Sequence, residues 1–188
     1  MRISAAPSTT ESWSWWTGCL FAGGSLCFAI GPFPGYVQLV GQGAAGATFF
    51  AGSILFTSAA LLQLLRDPGW ATGVQLAGTL FFNLSTFGAL TAGLSTHQEN
   101  RVVWAPDVFG SACFLVASWL AWTASRDRVG AWNLCGSFAF GIAAAASYVV
   151  PKTGDVLALA PANLTTVLGA LCFLAGSLLL LPPVRDRR

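Results

Sequence analysis

The sequence predicts an all-α integral membrane protein: one membrane domain over residues 1–188, with six transmembrane helices arranged as three repeated hairpins and both termini cytoplasmic. Three observations predict it: an apolar composition, six charge-poor stretches of membrane-spanning length, and a one-sided distribution of arginine. With 55% hydrophobic against 9% charged residues and a mean hydropathy of +0.67, the chain is too apolar for a water-facing globule. A hydrocarbon core of about 30 Å takes roughly 17–25 helical residues. Lipid also obliges backbone groups to bond within their own segment, so these stretches should be helices.

The first span, residues 13–30, opens with Trp13, Trp15 and Trp16 as interface anchors. Glu11 and these tryptophans stand where the basic region of a cleavable signal peptide would lie, so the helix is expected to be retained. The second, 44–65, runs into Arg66, Asp67 and Pro68, and the third, 72–94, follows Trp70. The fourth, 106–124, starts at Pro106 with Asp107 as its cap and ends before Arg126. The fifth, 131–150, carries Trp132 at its start and Pro151 after its end. The sixth, 162–181, follows Pro161, with Asn163 and Thr165 matching a glycosylation acceptor but read as a cap, and stops at Pro182 and Pro183. All nine prolines thus fall in loops or at span ends.

Orientation follows from basic residues in short loops. Arg2, Arg66, Arg126, Arg128, Arg185, Arg187 and Arg188 share one face, leaving Arg101 and Lys152 opposite. Both termini are therefore expected in the cytoplasm, with the chain in the cell membrane.

The hairpins copy one another at approximately 13–67, 69–127 and 130–186, each closing on an Arg-Asp corner at 66, 126 and 185. The even-numbered spans carry Gly46, Phe50 and Ser53, then Gly110, Phe114 and Ser118, then Gly169, Phe173 and Ser177. The odd-numbered spans carry a looser version in Gly18, Phe21 and Ser25, in Gly78, Phe81 and Ser85, and in Gly136 and Phe140. Residues four apart share a helix face, so these form stripes of small residues. Such stripes let helices approach closely where lipid gives little hydrophobic drive to associate.

The run from Phe50 through Ser53 and Phe56 to Arg66 resembles the second helix of the YrhK-like two-helix membrane domain, and Leu20 to Phe28 is similar to its first. The resemblance is best over residues 16–66. It implies a bacterial membrane protein of no settled biochemical role, and it transfers no catalytic residue.

No reactive constellation is evident, so neither an enzyme nor a cofactor is expected. Cys19, Cys27, Cys113, Cys135 and Cys172 lie within spans without a C-x-x-C pair, which predicts small apolar packers rather than a metal site or disulfides. No span interior holds an ionisable side chain of the kind that marks proton or ion pathways. Lys152, the only lysine, lies in a loop, which excludes a mid-membrane Schiff base. Two polar groupings stand out. Gln75, Thr79, Asn83 and Thr86 share one face of the third helix, either lining a cavity or pore or bonding to a neighbouring helix. His97, Glu99, Arg101, Asp107, Lys152 and Asp155 fall on the outer connections, either as a rim site for a proton or metal or as a solvated loop. The Arg-Asp corners signal topology, with anionic lipid or a cytoplasmic partner as the other reading.

The leading functional expectation is a structural or accessory membrane subunit, with lipid and a membrane protein partner or a second copy as its contacts and no nucleic acid. The alternative is a channel or carrier for a small uncharged or lipid-like solute, lined by the Gln75 to Thr86 face. The third is a membrane enzyme with an outer-rim site at His97.

Overall fold

The computed structural model describes residues 9–181, with side chains from residue 12 onward. Arg2, Pro7, Pro182, Pro183, Arg185, Asp186, Arg187 and Arg188, used above for orientation and span ends, lie outside the described residues, and Glu11 is described in its backbone alone, within α1. The described chain is helical throughout: α1 (Thr9–Ile30), α2 (Pro34–Val40), α3 (Gln42–Arg66), α4 (Trp70–Gly88), α5 (Thr96–Glu99), a π-helical turn (Asn100–Trp104), α6 (Ala105–Ser125), α7 (Arg128–Ala146) and α8 (Leu159–Leu180). The only strand-like pairing among them is one antiparallel bridge, Val149 with Val156, in the α7–α8 connection.

Four helical segments are long and apolar enough to cross a membrane: Gln42–Arg66, Thr96–Ser125, Arg128–Ala146 and Leu159–Leu180. A fifth is added if Ser12–Ile30 and Pro34–Val40, bent by 91° at their break, count as one span. The bend follows from sequence. Pro32 and Pro34 forbid continuation of α1, and Gly41, at φ +81°, turns the chain from α2 into α3. α2 buries none of its residues, as expected of a short helix lying across the end of a bundle. α4 has the same 19 residues as α7. It falls outside the four apolar segments.

Several boundaries differ from the sequence expectation. α4 stops at Gly88 rather than at 94, and α7 stops at Ala146 rather than at 150. The fourth span is the largest departure, because helix begins at Thr96 and continues through the π turn into α6 without a break. Asp107 is consequently not a helix cap. Trp104 before it is already helical, and Ser95 caps the start by accepting from Gln98 N. α8 likewise starts at Leu159, so Asn163 lies a turn inside rather than at its cap.

The six long helices form a closed ring in the order α1, α3, α4, α6, α7, α8 and back to α1, each antiparallel to both neighbours. The start of α1, the end of α8, the α3–α4 turn and the α6–α7 turn lie at one end, here the terminal face; the three longer connections lie at the other, the far face. Arg66 donates to Ser14 Oγ, tying α3 to the start of α1 at the terminal face. The α6–α7 turn is fixed by Arg126, which adopts φ +53° and lays its guanidinium over Trp122, and by Asp127, whose carboxylate accepts from Gly130 N at 2.7 Å. Trp13, Trp15, Trp16, Trp70 and Trp132 are exposed on helices near this face.

Within each hairpin two glycines bring the backbones together. A Cβ on Gly24 would sit 2.9 Å from Gly52 O; one on Gly110 would sit 3.1 Å from Gly78 O; one on Gly169 would sit 3.0 Å from Gly136 O. Four residues beyond each glycine is a phenylalanine, and these six, Phe28, Phe56, Phe82, Phe114, Phe140 and Phe173, meet in the core. Their ring centroids lie 5.2–6.2 Å apart, at tilted or edge-to-face angles. This register shifts the motif in the first even-numbered span. Gly46 faces Leu90, Phe50 stacks on Phe87, and Ser53 bonds to Thr86, so the counterpart of Gly110 and Phe114 is Gly52 and Phe56. The odd-numbered spans shift too, to Gly24 with Phe28 and to Gly78 with Phe82. Gly110 with Phe114 and Gly169 with Phe173 occupy this contact, and below them Ser118 bonds to Ser137 and Ser177 donates to Phe173 O.

Gly24→Ala should destabilise the detergent-solubilised protein by about 1–3 kcal/mol, because its methyl would press on backbone and on the Phe56 ring. Gly43→Ala, with nothing within 4 Å, should leave the thermal midpoint unchanged or slightly raised. Equal midpoints for the two variants would refute the close-approach account.

Candidate functional site

The six phenylalanines are stacked in two triads. Phe28, Phe82 and Phe140, from α1, α4 and α7, face the far end of the ring. Phe56, Phe114 and Phe173, from α3, α6 and α8, face the terminal end. The space left among them and Ser53 is only about 10 Å³ and exposes no polar surface, at the lower limit for a single water and without the polar partners one needs. The ring interior is therefore divided by a plug.

On the far side of the plug lies a chamber of about 230 Å³. Its floor is Phe28, Phe82 and Phe140, and its polar wall is Ser85 and Thr86 from α4, Asp107 from α6, Ser147 after α7, and Asn163 and Thr166 from α8. Val156 of the α7–α8 connection and Ala89 after α4 complete it toward the far face. On the terminal side is a much smaller pocket of about 20 Å³, lined by Gln75, Ser118, Asn133 and Ser177 beneath the second triad.

Asp107 is the only ionisable side chain in the chamber wall, and it makes no hydrogen bond or ion pair with any described residue. The hydroxyls of Thr86, Ser147 and Thr166 are turned back onto carbonyls of their own helices, at 2.7, 3.0 and 2.8 Å. Their oxygens keep the capacity to accept. The side chains of Asn163 and Ser85 make no hydrogen bond with any described residue. A carboxyl without a cationic partner can be satisfied in such a place by taking up a proton, by water, or by a bound cation.

The polar face of α4 does not line a single path. Gln75 reaches the terminal-side pocket, while Thr79, fully buried, donates to Leu76 O at 2.7 Å. With its amide assigned from the hydrogen-bond pattern, Asn83 donates to Ser53 O at 3.0 Å and accepts from Thr57 Oγ1 at 2.9 Å. Thr86 shares a 2.9 Å hydrogen bond with Ser53 Oγ. Asn83 and Thr86 thus knit α4 to α3, and of the four residues only Thr86 also touches the chamber.

The outer-rim grouping separates as well. His97, Arg101, Lys152 and Asp155 are exposed, Glu99 is half-buried, and no hydrogen bond or ion pair joins any of them to one another or to Asp107. Among the described residues no group of three His, Cys, Asp or Glu side chains could hold a metal ion. The five cysteines are free; Cys27 and Cys113 serve as the side chains that pack over Gly52 and Gly78.

Asn100 and Trp104, in the π turn, carry a role that sequence reasoning missed. The Asn100 amide donates to Val149 O at 2.6 Å and accepts from Val149 N at 3.0 Å, and Trp104 Nε1 donates to Ala144 O at 2.9 Å. Together they clamp the end of α7 and the connection that carries Val156 over the chamber. The overlooked wall residues Ser85, Ser147, Asn163 and Thr166 gave a signal only in part, since each is a small polar residue near a span end.

Asn100→Ala should cost about 1–3 kcal/mol by leaving both Val149 backbone groups unpaired. Faster amide exchange is expected over residues 147–158. Asp107→Asn should leave the thermal midpoint unchanged or higher, because the carboxylate has no internal partner to lose. A clear loss of stability in Asp107→Asn would show a structural role instead.

No known protein family, no characterised protein and no solved structure matches the chain.

Proposed function

We propose that this chain is a six-span membrane protein, both termini cytoplasmic, whose far-face chamber binds a small solute as a carrier or gated channel does. The observation that carries the reading is the unpartnered Asp107 carboxylate in the wall of a chamber of about 230 Å³, directly above a dry phenylalanine plug. Intramembrane ionisable residues that face a cavity commonly mark substrate or ion pathways. Apolar constrictions commonly gate by excluding water.

α4 is taken as a span in this reading because it completes the ring between α3 and α6 and has the length of α7. Its polar side chains Thr79 and Asn83 turn toward its own backbone and α3 rather than to lipid. The three hairpins then relate as copies about an axis along the membrane normal, each bringing one facing glycine pair and two plug phenylalanines. The likeness of residues 16–66 to the YrhK-like two-helix unit fits that arrangement. The accessory-subunit reading drew on the lack of reactive residues; an interior chamber with an unsatisfied carboxylate gives the solute reading the stronger support.

The topology is checked by single cysteines in a cysteine-free background, labelled with an impermeant maleimide in intact cells. Lys152→Cys should react and Gly69→Cys should not. In liposomes, the protein should admit small solutes that empty liposomes exclude, and Ser85→Trp, which fills the chamber, should abolish the flux. Equal flux in Ser85→Trp and the parent would overturn the chamber as the path.

A further inference from the structure

We infer that the solute is an alkylammonium ion, an organic monocation whose charge is met by Asp107 and whose hydrocarbon is met by the phenylalanine floor. This inference rests on the chamber reading and narrows it to a ligand class. The wall contains one carboxylate and no Lys, Arg or His, so its field is of one sign and repels anions. With a neutral solute the carboxyl would have to hold its own proton or keep its water, whereas a single positive charge pairs with its ionised form directly.

Shape and hydrogen bonding narrow the cation further. The hydroxyls of Thr86, Ser147 and Thr166 donate to helix carbonyls and keep oxygen lone pairs able to accept, which suits a ligand with N–H donors. Asn163 adds an amide oxygen with no internal partner. A bare metal ion would use these oxygens but gain little from Phe28, Phe82 and Phe140, which make up the floor. An alkylammonium uses both, because aromatic faces attract organic cations and bury their alkyl portion. The chamber is small against the usual range for drug-sized ligands of about 300–1,000 Å³, so the cation has few carbon atoms.

The test places a thiol in the wall of the full-length protein in detergent, as Ser85→Cys, with Thr166→Cys as a second position should the first not fold. The wild-type labelling of native cysteines is subtracted. Aminoethyl, hydroxyethyl and sulfonatoethyl methanethiosulfonate supply a cationic, a neutral and an anionic probe, each rate being divided by that with a free thiol. The cationic probe should be favoured over the anionic one by about tenfold or more, as expected for a cleft of one sign of charge. That preference should vanish when Asp107→Asn is added. Labelling should also be slowed by n-butylammonium and not by n-butanol. If all three probes react in their free-thiol ratios and n-butylammonium gives no protection, the ammonium assignment falls while the solute chamber stands. If no probe reaches either cysteine, the chamber reading falls with it.

Discussion

Close backbone approach at the three facing glycine pairs, Gly24 with Gly52, Gly78 with Gly110 and Gly136 with Gly169, is the contact on which the rest of the bundle depends. In lipid an apolar side chain gains little by leaving its neighbours for another helix, so association relies on dispersion at short range and on interhelical hydrogen bonds. Glycine supplies the first by removing the side chain that would hold two backbones apart. With the backbones that close, a phenylalanine one turn further along each helix is carried to the centre instead of out to lipid. Two seams between hairpins are set at the distance at which Ser53 meets Thr86 and Ser118 meets Ser137, and the ring closes at the third, where Gly18 of α1 lies against Ser177 of α8 and Leu181.

Six aromatic rings cannot all meet at one level, and the two-triad stack is the outcome. Residues on antiparallel helices alternate in height, so α1, α4 and α7 place their rings toward one end and α3, α6 and α8 toward the other. The same geometry leaves the far end of the ring underfilled. There the chain supplies small or polar side chains, Ser85, Thr86, Asn163 and Thr166, where a packed bundle would use large apolar ones. An unfilled volume with a carboxylate beside it is a poor choice for stability alone, and natural proteins tend to keep such features where function needs them.

Much of the architecture was legible in the sequence because it is written in periodicity. Helical character and the small-residue stripes follow from local chemistry, and 44–65 differs from α3 only at its fraying ends, whereas Pro106, expected at a span start, lies inside the continuous segment Thr96–Ser125. The register of the motif was less legible, since Gly46 with Phe50 and Gly52 with Phe56 both offer a glycine and a phenylalanine four apart, on different faces of one helix. The four-residue spacing recurs in all six helices but does not choose between these two pairs; the contacts of Gly52 with α1 do. Of the site, Asp107 and Thr86 were identified as residues, but not what surrounds them. That Asp107 lies inside a helix rather than at its start depends on ten preceding residues, 96–105, whose mixed polarity gives no span signal and whose helicity is held by contacts to α7. Tertiary contact of that kind overrides local propensity.

The π turn at Asn100–Trp104 has an angular consequence. On a regular α-helix, residues seven apart point within about 20° of the same direction, so Asn100 would overlie Asp107. A wider turn lags in phase, rotating whatever precedes it around the helix axis. Asn100 is thereby swung sideways to Val149, while Asp107 keeps its inward bearing. One continuous helix thus serves two azimuths, an anchor aimed at its neighbour and a charge aimed at the axis, and the mouth of the cavity is not obstructed by the residue that fastens its rim.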